Sequence, residues 1–220
     1  MRPNLRPTYH PRSRSPYQPG LIHPDQIHTR TQRCLREAQI PARYAHTTFE
    51  TLDARLHPAA FDRCWEYAYT SRCQGKRGLL LIGPPGTGKT SLAVAILRQV
   101  VQQNRGCCGV RFWNVPQGLE QIRRSFSRPE AQQPSVLDLS GHLLLVLDDL
   151  GQQKMSEWVA EQLYTLLDLL WNEDRPVVIT TNLRPRQFIG TLDSALVSRI
   201  LGLCHEVRLE GKDQRPTVRS

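Results

Sequence analysis

The sequence has no apolar run long enough to cross a membrane. Its longer runs, such as Leu92 to Leu97, fall far short of the roughly 18–20 residues that a spanning helix needs. The first residues are basic, but no apolar stretch follows them as a secretory signal requires. We therefore expect a soluble, cytoplasmic protein that does not bind a membrane.

The six cysteines include no CxxC pair and no other metal-ligand spacing. The adjacent Cys107 and Cys108 suit either reduced thiols on a strand edge or a strained disulfide with redox chemistry, and we favour the thiols. We expect no metal held by cysteine.

Lysine is scarce, with four residues against 25 arginines, and the positive charge is unevenly spread. Of the net charge of +9, residues 1–36 contribute +6 through seven arginines and one aspartate. Residues 1–24 also hold six prolines and cannot bury enough apolar surface to offset the entropy of ordering. We expect residues 1–38 to form a largely disordered basic arm with one short helix, and residues 39–220 to form one domain. The arm either binds nucleic acid or an acidic partner, or stays solvated.

Short apolar runs alternate with helical patterns from residue 78 onward. Strands are predicted over residues 78–82, 110–115, 143–147, 176–181 and 205–209. Fully apolar strands separated by helices indicate a parallel sheet covered on both faces. We therefore expect an α/β fold with a five-stranded parallel sheet and helices on both faces. The chain ends eleven residues after the last strand, so no C-terminal lid domain is expected.

The run GPPGTGKT at residues 83–90 predicts a phosphate-binding loop, because it joins a predicted strand to a predicted helix. Gly86 and Gly88 let backbone amides turn towards one point, and the helix N-terminus adds positive potential. Lys89 suits the β- and γ-phosphates of ATP, and the hydroxyl of Thr90 suits Mg²⁺. The predicted nucleotide-binding residues are Gly83, Pro84, Pro85, Gly86, Thr87, Gly88, Lys89, Thr90 and Ser91.

Two aspartates, Asp148 and Asp149, follow the predicted strand at residues 143–147. They would lie beside the phosphate loop if both strands end at the same edge of the sheet. Asp148 is the candidate Mg²⁺ ligand, and Asp149 is the candidate base for the attacking water. The alternative for the pair is a simple loop cap.

Two further features are more ambiguous on the residues alone. Asn182, at the end of the run TTN, suits either an amide that orients water or a turn residue. Arg199 suits either an arginine finger that reaches a neighbouring subunit or a solvated helix face.

With these pieces in place, the chain resembles the AAA+ ATPases of the DnaC/DnaI helicase-loader and IstB transposition-helper group. The resemblance covers about residues 39–215. It is carried by the runs IPARYAHTTFETLD (40–53), GLLLIGPPGTGKTSLA (78–93), LLLVLDDLG (143–151), VVITTNL (177–183), SRI (198–200) and LEGKDQR (209–215).

The resemblance implies roles for the residues that match. Lys89 and Thr90 match the Walker A pair, Asp148 and Asp149 the Walker B pair, Asn182 the first sensor and Arg199 the finger acting on a neighbour. It also implies self-association, with the active site completed between subunits. Members bind single-stranded DNA through basic residues between the second and third strands, where Arg123 and Arg124 fall. A solvated basic face is the alternative for these two arginines.

The function expected from the resemblance is that of an ATP-hydrolysing helicase loader that binds ATP, Mg²⁺ and single-stranded DNA and acts on a replicative helicase. Loaders of this group carry a folded N-terminal domain, whereas this chain offers only the basic arm, which leaves the partner open. One alternative is a transposition helper that acts with a transposase on duplex DNA. Another is a DNA-binding adaptor that is gated by nucleotide with negligible turnover.

Overall fold

The fold described below comes from a computed structural model, which describes residues 24–70, 77–106, 109–211 and 213. Residues 1–23, which make up most of the expected arm, lie outside the described residues, and so do Cys73, Cys107 and Cys108. Within the described part of the chain, no helix is long and apolar enough to span a membrane.

The centre of the molecule is a parallel sheet. Its five strands are β1 (Gly78–Ile82), β2 (Val110–Asn114), β3 (Leu144–Leu150), β4 (Val177–Thr181) and β5 (Cys204–Arg208). They lie in the order β2-β3-β4-β1-β5, and every neighbouring pair is parallel. The predicted five-stranded parallel sheet is confirmed. Parallel strands place their carboxyl ends at one edge, so the loop that follows β1 and the polar residues of β3 and β4 meet there.

Helices cover both faces of this sheet, as predicted. They are α1 (Pro24–Glu37), α2 (Pro58–Thr70), α3 (Lys89–Gln103), α4 (Val115–Ser125), α5 (Glu157–Asn172), α6 (Pro185–Thr191) and α7 (Ser194–Leu203). Helices α1, α2 and α3 bury apolar side chains in one core with one face of the sheet. Helices α4 to α7 form a second core with the opposite face.

Helix α1 packs on the domain and is not part of a free arm. Cys34 and Ala38 are buried in the same core as α3, and the backbone N–H of Phe112 donates to the carbonyl of Ala38 at 2.8 Å. The apolar stripe of this helix is therefore a packing surface, and a domain boundary at residue 38 would cut through a buried contact. Helix α1 is therefore continuous in packing with the domain built around the sheet.

Two other elements differ from the sequence prediction. Strand β3 continues through the two aspartates to Leu150, with a shift of register against β4 between Leu147 and Leu150. Asp149 sits at this irregularity with a left-handed φ of 59°. Helix α6 was not predicted, because its seven residues are too few to show a helical period.

The cysteines among the described residues, Cys34, Cys64 and Cys204, are buried and form no disulfide with one another. Burial raises the pKa of the Cys64 thiol to about 12 and raises that of Cys204 as well. Both side chains therefore stay protonated and pack as small apolar groups.

Candidate active site

The phosphate loop lies between the end of β1 and the first turn of α3. Gly86 and Gly88 have φ angles of 76° and 88°, in the region that favours glycine. Lys89 is 5% exposed, and its Nζ donates to the carbonyls of Gly83 and Pro84 at 2.7 Å each. The lysine is thus folded back across the loop, with its charge held beside the amides that would receive phosphate.

A side chain at Gly86 would meet the carboxylate of Asp213, which would have to move aside. A Cβ at this position would lie 1.7 Å from Oδ1 of Asp213. The carboxylate of Asp213, near the end of the described chain, is therefore packed directly against the loop. We expect an incoming phosphate to displace it, because two anions cannot share one cradle.

The acidic pair on β3 lies next to this loop. The Thr90 hydroxyl donates to Oδ1 of Asp148 at 2.8 Å, and the Thr180 hydroxyl donates to the same oxygen at 2.8 Å. Asp148 is completely buried. Burial, reinforced by the charge of Asp149, raises the pKa of Asp148, while hydrogen bonds from Thr180, Thr90 and Asn114 act in the opposite direction.

Asp149 is more open to solvent than Asp148 and is fixed by two groups. Its backbone N–H donates to the Thr180 hydroxyl at 3.0 Å, and the side-chain amide of Asn114 lies 3.4 Å from Oδ2 of Asp149. The same amide lies 3.4 Å from Oδ2 of Asp148. Asn114 thus connects the two carboxylates, and the left-handed backbone at residue 149 turns the second one away from the core.

Sequence reasoning missed Asn114 and Thr180. Asn114 is the last residue of β2, and Thr180 lies one residue before the end of β4. Strands β2 and β4 flank β3, so both residues bring polar side chains to the acidic pair. Their signal in the sequence was a polar residue at the end of an apolar strand, which becomes informative only when the strand order is known.

The donor set at this edge fits Mg²⁺. The Thr90 hydroxyl and the Asp148 carboxylate are hard oxygen donors that already touch each other, and Mg²⁺ prefers such ligands together with phosphate oxygens. Thr90 and Asp148 are therefore the residues that would hold the ion.

A cavity of about 240 Å³ adjoins the loop. One wall comes from the segment before and at the start of α2, including Thr51, Leu52, His57 and Phe61. The other wall includes Gly88 and Leu92 of the loop and α3. A pocket with mixed apolar and polar walls beside a phosphate loop suits the base and ribose of a nucleotide. No residue of segment 51–61 was among the predicted site residues.

Asn182 directly follows β4, which lies between β3 and β1. Its backbone therefore stands at the carboxyl edge between the acidic pair and the phosphate loop. This is the place that an amide orienting a water molecule would need.

Arg199 is held by helix α5. Its Nη2 lies 2.5 Å from Oδ1 of Asp168, and its guanidinium carbon lies 5.3 Å and 5.8 Å from the ring centres of Trp171 and Tyr164. Its side chain is 23% exposed. The solvated helix face that was the alternative for Arg199 therefore does not describe this side chain. It is an ordered cation on the outer side of the α5–α7 pair.

Arg123 and Arg124 lie away from the acidic pair, at the C-terminal end of α4. Their side chains are 54% and 78% exposed, and both pair with Glu120, at 3.8 Å and 2.8 Å. The structure therefore places them on the surface of the helix that follows β2 in the chain, and does not join them to the phosphate loop.

Replacing Lys89 with alanine should lower the affinity for ATP by roughly 10- to 150-fold, the range for losing charge-assisted hydrogen bonds to phosphate. Titration of a fluorescent ATP analogue measures this loss, with circular dichroism to verify the fold. Lys154→Ala, which removes an exposed lysine, is the matched control and should bind normally. Unchanged affinity in folded Lys89→Ala protein would contradict the assignment of the loop.

Comparison with known proteins relates this site to a family. The family model described as IstB-like ATP binding protein matches residues 21–220. The uncharacterized protein YqaM of Bacillus subtilis is 26% identical over 147 residues, which are 64% of this chain and 45% of YqaM. The putative ATP-binding protein Rv3427c in an insertion sequence of Mycobacterium tuberculosis is 25% identical over 195 residues, or 85% of this chain and 74% of that protein. This chain thus spans less than half of the length of YqaM.

Two crystal structures share the fold. The DnaC helicase loader and DnaI each align with a TM-score of 0.67 and 21% identity. The alignments cover 77% and 80% of this chain, and 99% and 95% of those chains. At this identity they establish the fold, while the family model spans nearly the whole sequence. The chain therefore belongs to the IstB-like ATP-binding family and is a P-loop ATPase that shares the fold of DnaC and DnaI.

Proposed function

We propose that this ATPase is a DNA-replication protein of the DnaC/DnaI helicase-loader type, which assembles on single-stranded DNA and helps to place a replicative helicase. The observation that carries the proposal is the hydrogen bond of 2.8 Å from the Thr90 hydroxyl to Oδ1 of Asp148, which joins the phosphate loop to the acidic pair. The fold around this bond is shared with the DnaC helicase loader over 99% of that chain.

The chain's own residues divide the work of nucleotide binding. The amides of residues 83–88 and the Lys89 ammonium bind the phosphates, and the cavity lined by Leu52, Phe61 and Leu92 takes the base. Thr90 and Asp148 would hold Mg²⁺, which would neutralise charge on the phosphate oxygens.

Hydrolysis needs a group that accepts the proton of the attacking water. Asp149 fits this role because it is more open to solvent than Asp148 and its carboxylate is oriented by Asn114. We assign the orientation of the same water to Asn182, which follows β4 at this edge of the sheet.

Arg199 completes the site from a neighbouring subunit. Its polar contacts to Asp168 and Tyr164 both use Nη2, and a guanidinium carries five N–H donors in all. Asp168 therefore orients the side chain while leaving donors for a phosphate on the adjoining molecule. This role requires the chain to self-associate, which is part of the proposal.

DNA binding is assigned to the surface of α4 that carries Arg123 and Arg124. Both cations are exposed, and phosphates would replace the single Glu120 as their partner. These contacts are independent of base sequence.

A second function is favoured by the insertion-sequence relative. Rv3427c covers 85% of this chain and is described as an ATP-binding protein in an insertion sequence. In this alternative the chain is a transposition helper that assembles on duplex DNA and directs a transposase.

The rate of ATP hydrolysis distinguishes the loader from the transposition helper. It should be measured without DNA, with single-stranded DNA and with duplex DNA of equal length. The loader function predicts stimulation by single strands in excess of duplex, with Lys89→Ala as the inactive control. Stronger stimulation by duplex would overturn the loader in favour of the transposition helper. A rate that no DNA changes would overturn both.

A further inference from the structure

Strand β3 has one residue more than β4 at the point where the two strands reach the acidic pair. The register pairs Leu147 with Ile179 and resumes with Leu150 opposite Thr181. Between these pairs, the two aspartates of β3 stand opposite a single residue of β4, Thr180. This is the geometry of a β-bulge, in which the extra residue loses its partner in the ladder of backbone hydrogen bonds.

The side chain of Thr180 takes the place of that missing partner. The backbone N–H of Asp149 donates to the Thr180 hydroxyl at 3.0 Å, and the hydroxyl donates to Oδ1 of Asp148 at 2.8 Å. A hydroxyl has a single proton, and a backbone N–H can only donate. The proton of Thr180 is therefore directed at Asp148, and one oxygen atom connects the two aspartates.

This connection is closed to solvent. Thr180 and Asp148 are both completely buried. The same Oδ1 of Asp148 also accepts a hydrogen bond from Thr90 at 2.8 Å, so one carboxylate oxygen joins the phosphate loop to the sheet. Because solvent does not reach these atoms, removal of the Thr180 hydroxyl would leave the carboxylate of Asp148 short of one hydrogen bond.

We propose that Thr180 is a positioning residue for ATP hydrolysis, whose hydroxyl holds the side chain of Asp148 and the backbone of Asp149 in one arrangement. The inference rests on the proposed function, which makes the first aspartate the Mg²⁺ ligand and the second the base. Groups that orient a metal-binding carboxylate typically contribute roughly 10- to 100-fold to metal affinity or activity. Thr180 does not touch the substrate in this role and acts only through the two aspartates.

The affinity of the full chain for a fluorescent ATP analogue, measured over a series of Mg²⁺ concentrations, tests this role. Thr180→Val replaces the hydroxyl with a methyl group, and should raise the Mg²⁺ concentration at half-maximal effect by roughly 10- to 100-fold. Without Mg²⁺ the variant should bind the analogue like the wild type, because the phosphate loop is unchanged. Turnover at saturating Mg²⁺ should also fall, since the N–H of Asp149 loses its acceptor.

Two other substitutions at this position separate the hydroxyl from the shape of the side chain. Thr180→Ser keeps the hydroxyl and should show the Mg²⁺ dependence of the wild type. Thr180→Ala removes the hydroxyl without placing a methyl group beside the carboxylate, and should shift the Mg²⁺ dependence as Thr180→Val does.

The neighbouring Thr181 provides a matched control. It is also completely buried, and its hydroxyl donates to the carbonyl of Leu150 at 2.7 Å and accepts from the N–H of Leu183 at 3.1 Å. Both of these partners are backbone groups, and neither belongs to an aspartate. Thr181→Val should therefore lower the free energy of unfolding, as Thr180→Val does, without moving the Mg²⁺ dependence.

Two results would overturn the positioning role. One is folded Thr180→Val protein with the Mg²⁺ dependence of the wild type. The other is an equal shift in Thr181→Val, which would make the effect a general loss of stability. Asp148→Asn separates this inference from the proposed function. If Asp148→Asn shifts the Mg²⁺ dependence and Thr180→Val does not, only the positioning role fails. If neither variant shifts it, the Mg²⁺ site of the proposed function fails as well.

Discussion

Replacing Arg199 with alanine should lower the rate of ATP hydrolysis by about 10³-fold or more while ATP binding stays normal. The reason is that the finger stabilises charge on the transferring phosphoryl group, which develops only in the transition state. Removal of the side chain should not disturb the fold, because Asp168 keeps a second hydrogen bond, from Asn172 at 3.0 Å. Steady-state turnover and analogue titration on the same preparation measure the two quantities.

If Arg199 acts on the ATP of a neighbouring subunit, the defect of Arg199→Ala should be complemented by a second variant. Mixing Arg199→Ala with Lys89→Ala protein should restore part of the activity, because some interfaces then pair an intact loop with an intact finger. Arg175→Ala, which removes a surface arginine paired with Glu173, is the matched control and should turn over normally. Absence of recovery at every ratio, in mixtures shown to contain mixed oligomers, would rule out action across an interface.

The conservative variant Arg199→Lys separates charge from shape. Lysine keeps a cation near Asp168 but loses the planar fork that contacts two oxygens at once. We expect this variant to remain strongly impaired in turnover.

Changing Asp149 to asparagine should lower the turnover rate by about 10²- to 10⁴-fold, the range for removing a general base. ATP and Mg²⁺ should still bind, because Thr90 and Asp148 remain in place and asparagine has the same shape. Single-turnover hydrolysis, with the analogue affinity measured in parallel, provides the test. Asp148→Asn is the informative comparison, since it should weaken Mg²⁺-dependent binding as well as turnover. Normal hydrolysis by Asp149→Asn protein would exclude Asp149 as the base.

Much of the fold follows from local features of the sequence. The strands at residues 78–82 and 177–181 are continuously apolar, and a buried strand flanked by helices has few other arrangements. The phosphate loop could also be predicted from the sequence, since Gly86 and Gly88 adopt φ angles that other residues rarely adopt. These features depend on neighbours in the chain and therefore appear in the sequence.

Other features depend on contacts between distant residues. The bond between Arg199 and Asp168 joins residues 31 positions apart, on two helices whose packing the periodicity does not fix. Asn114 and Thr180 reach the acidic pair only because β2 and β4 flank β3. The extension of β3 to Leu150 passes through a left-handed backbone at Asp149. Aspartate adopts this conformation more often than most residues, but its identity alone does not predict it.

The proposed function requires ATP-dependent assembly on DNA, and the mass of the complex measures that assembly directly. Sedimentation velocity of the full chain should show larger oligomers with ATP, Mg²⁺ and an oligothymidylate together than with any one of them. The Asp149→Asn variant, which is expected to hydrolyse ATP slowly, should be measured alongside. The Lys89→Ala variant should not assemble under the same conditions. A wild-type chain that stays monomeric with ATP and DNA present would contradict both the composite active site and the loader function.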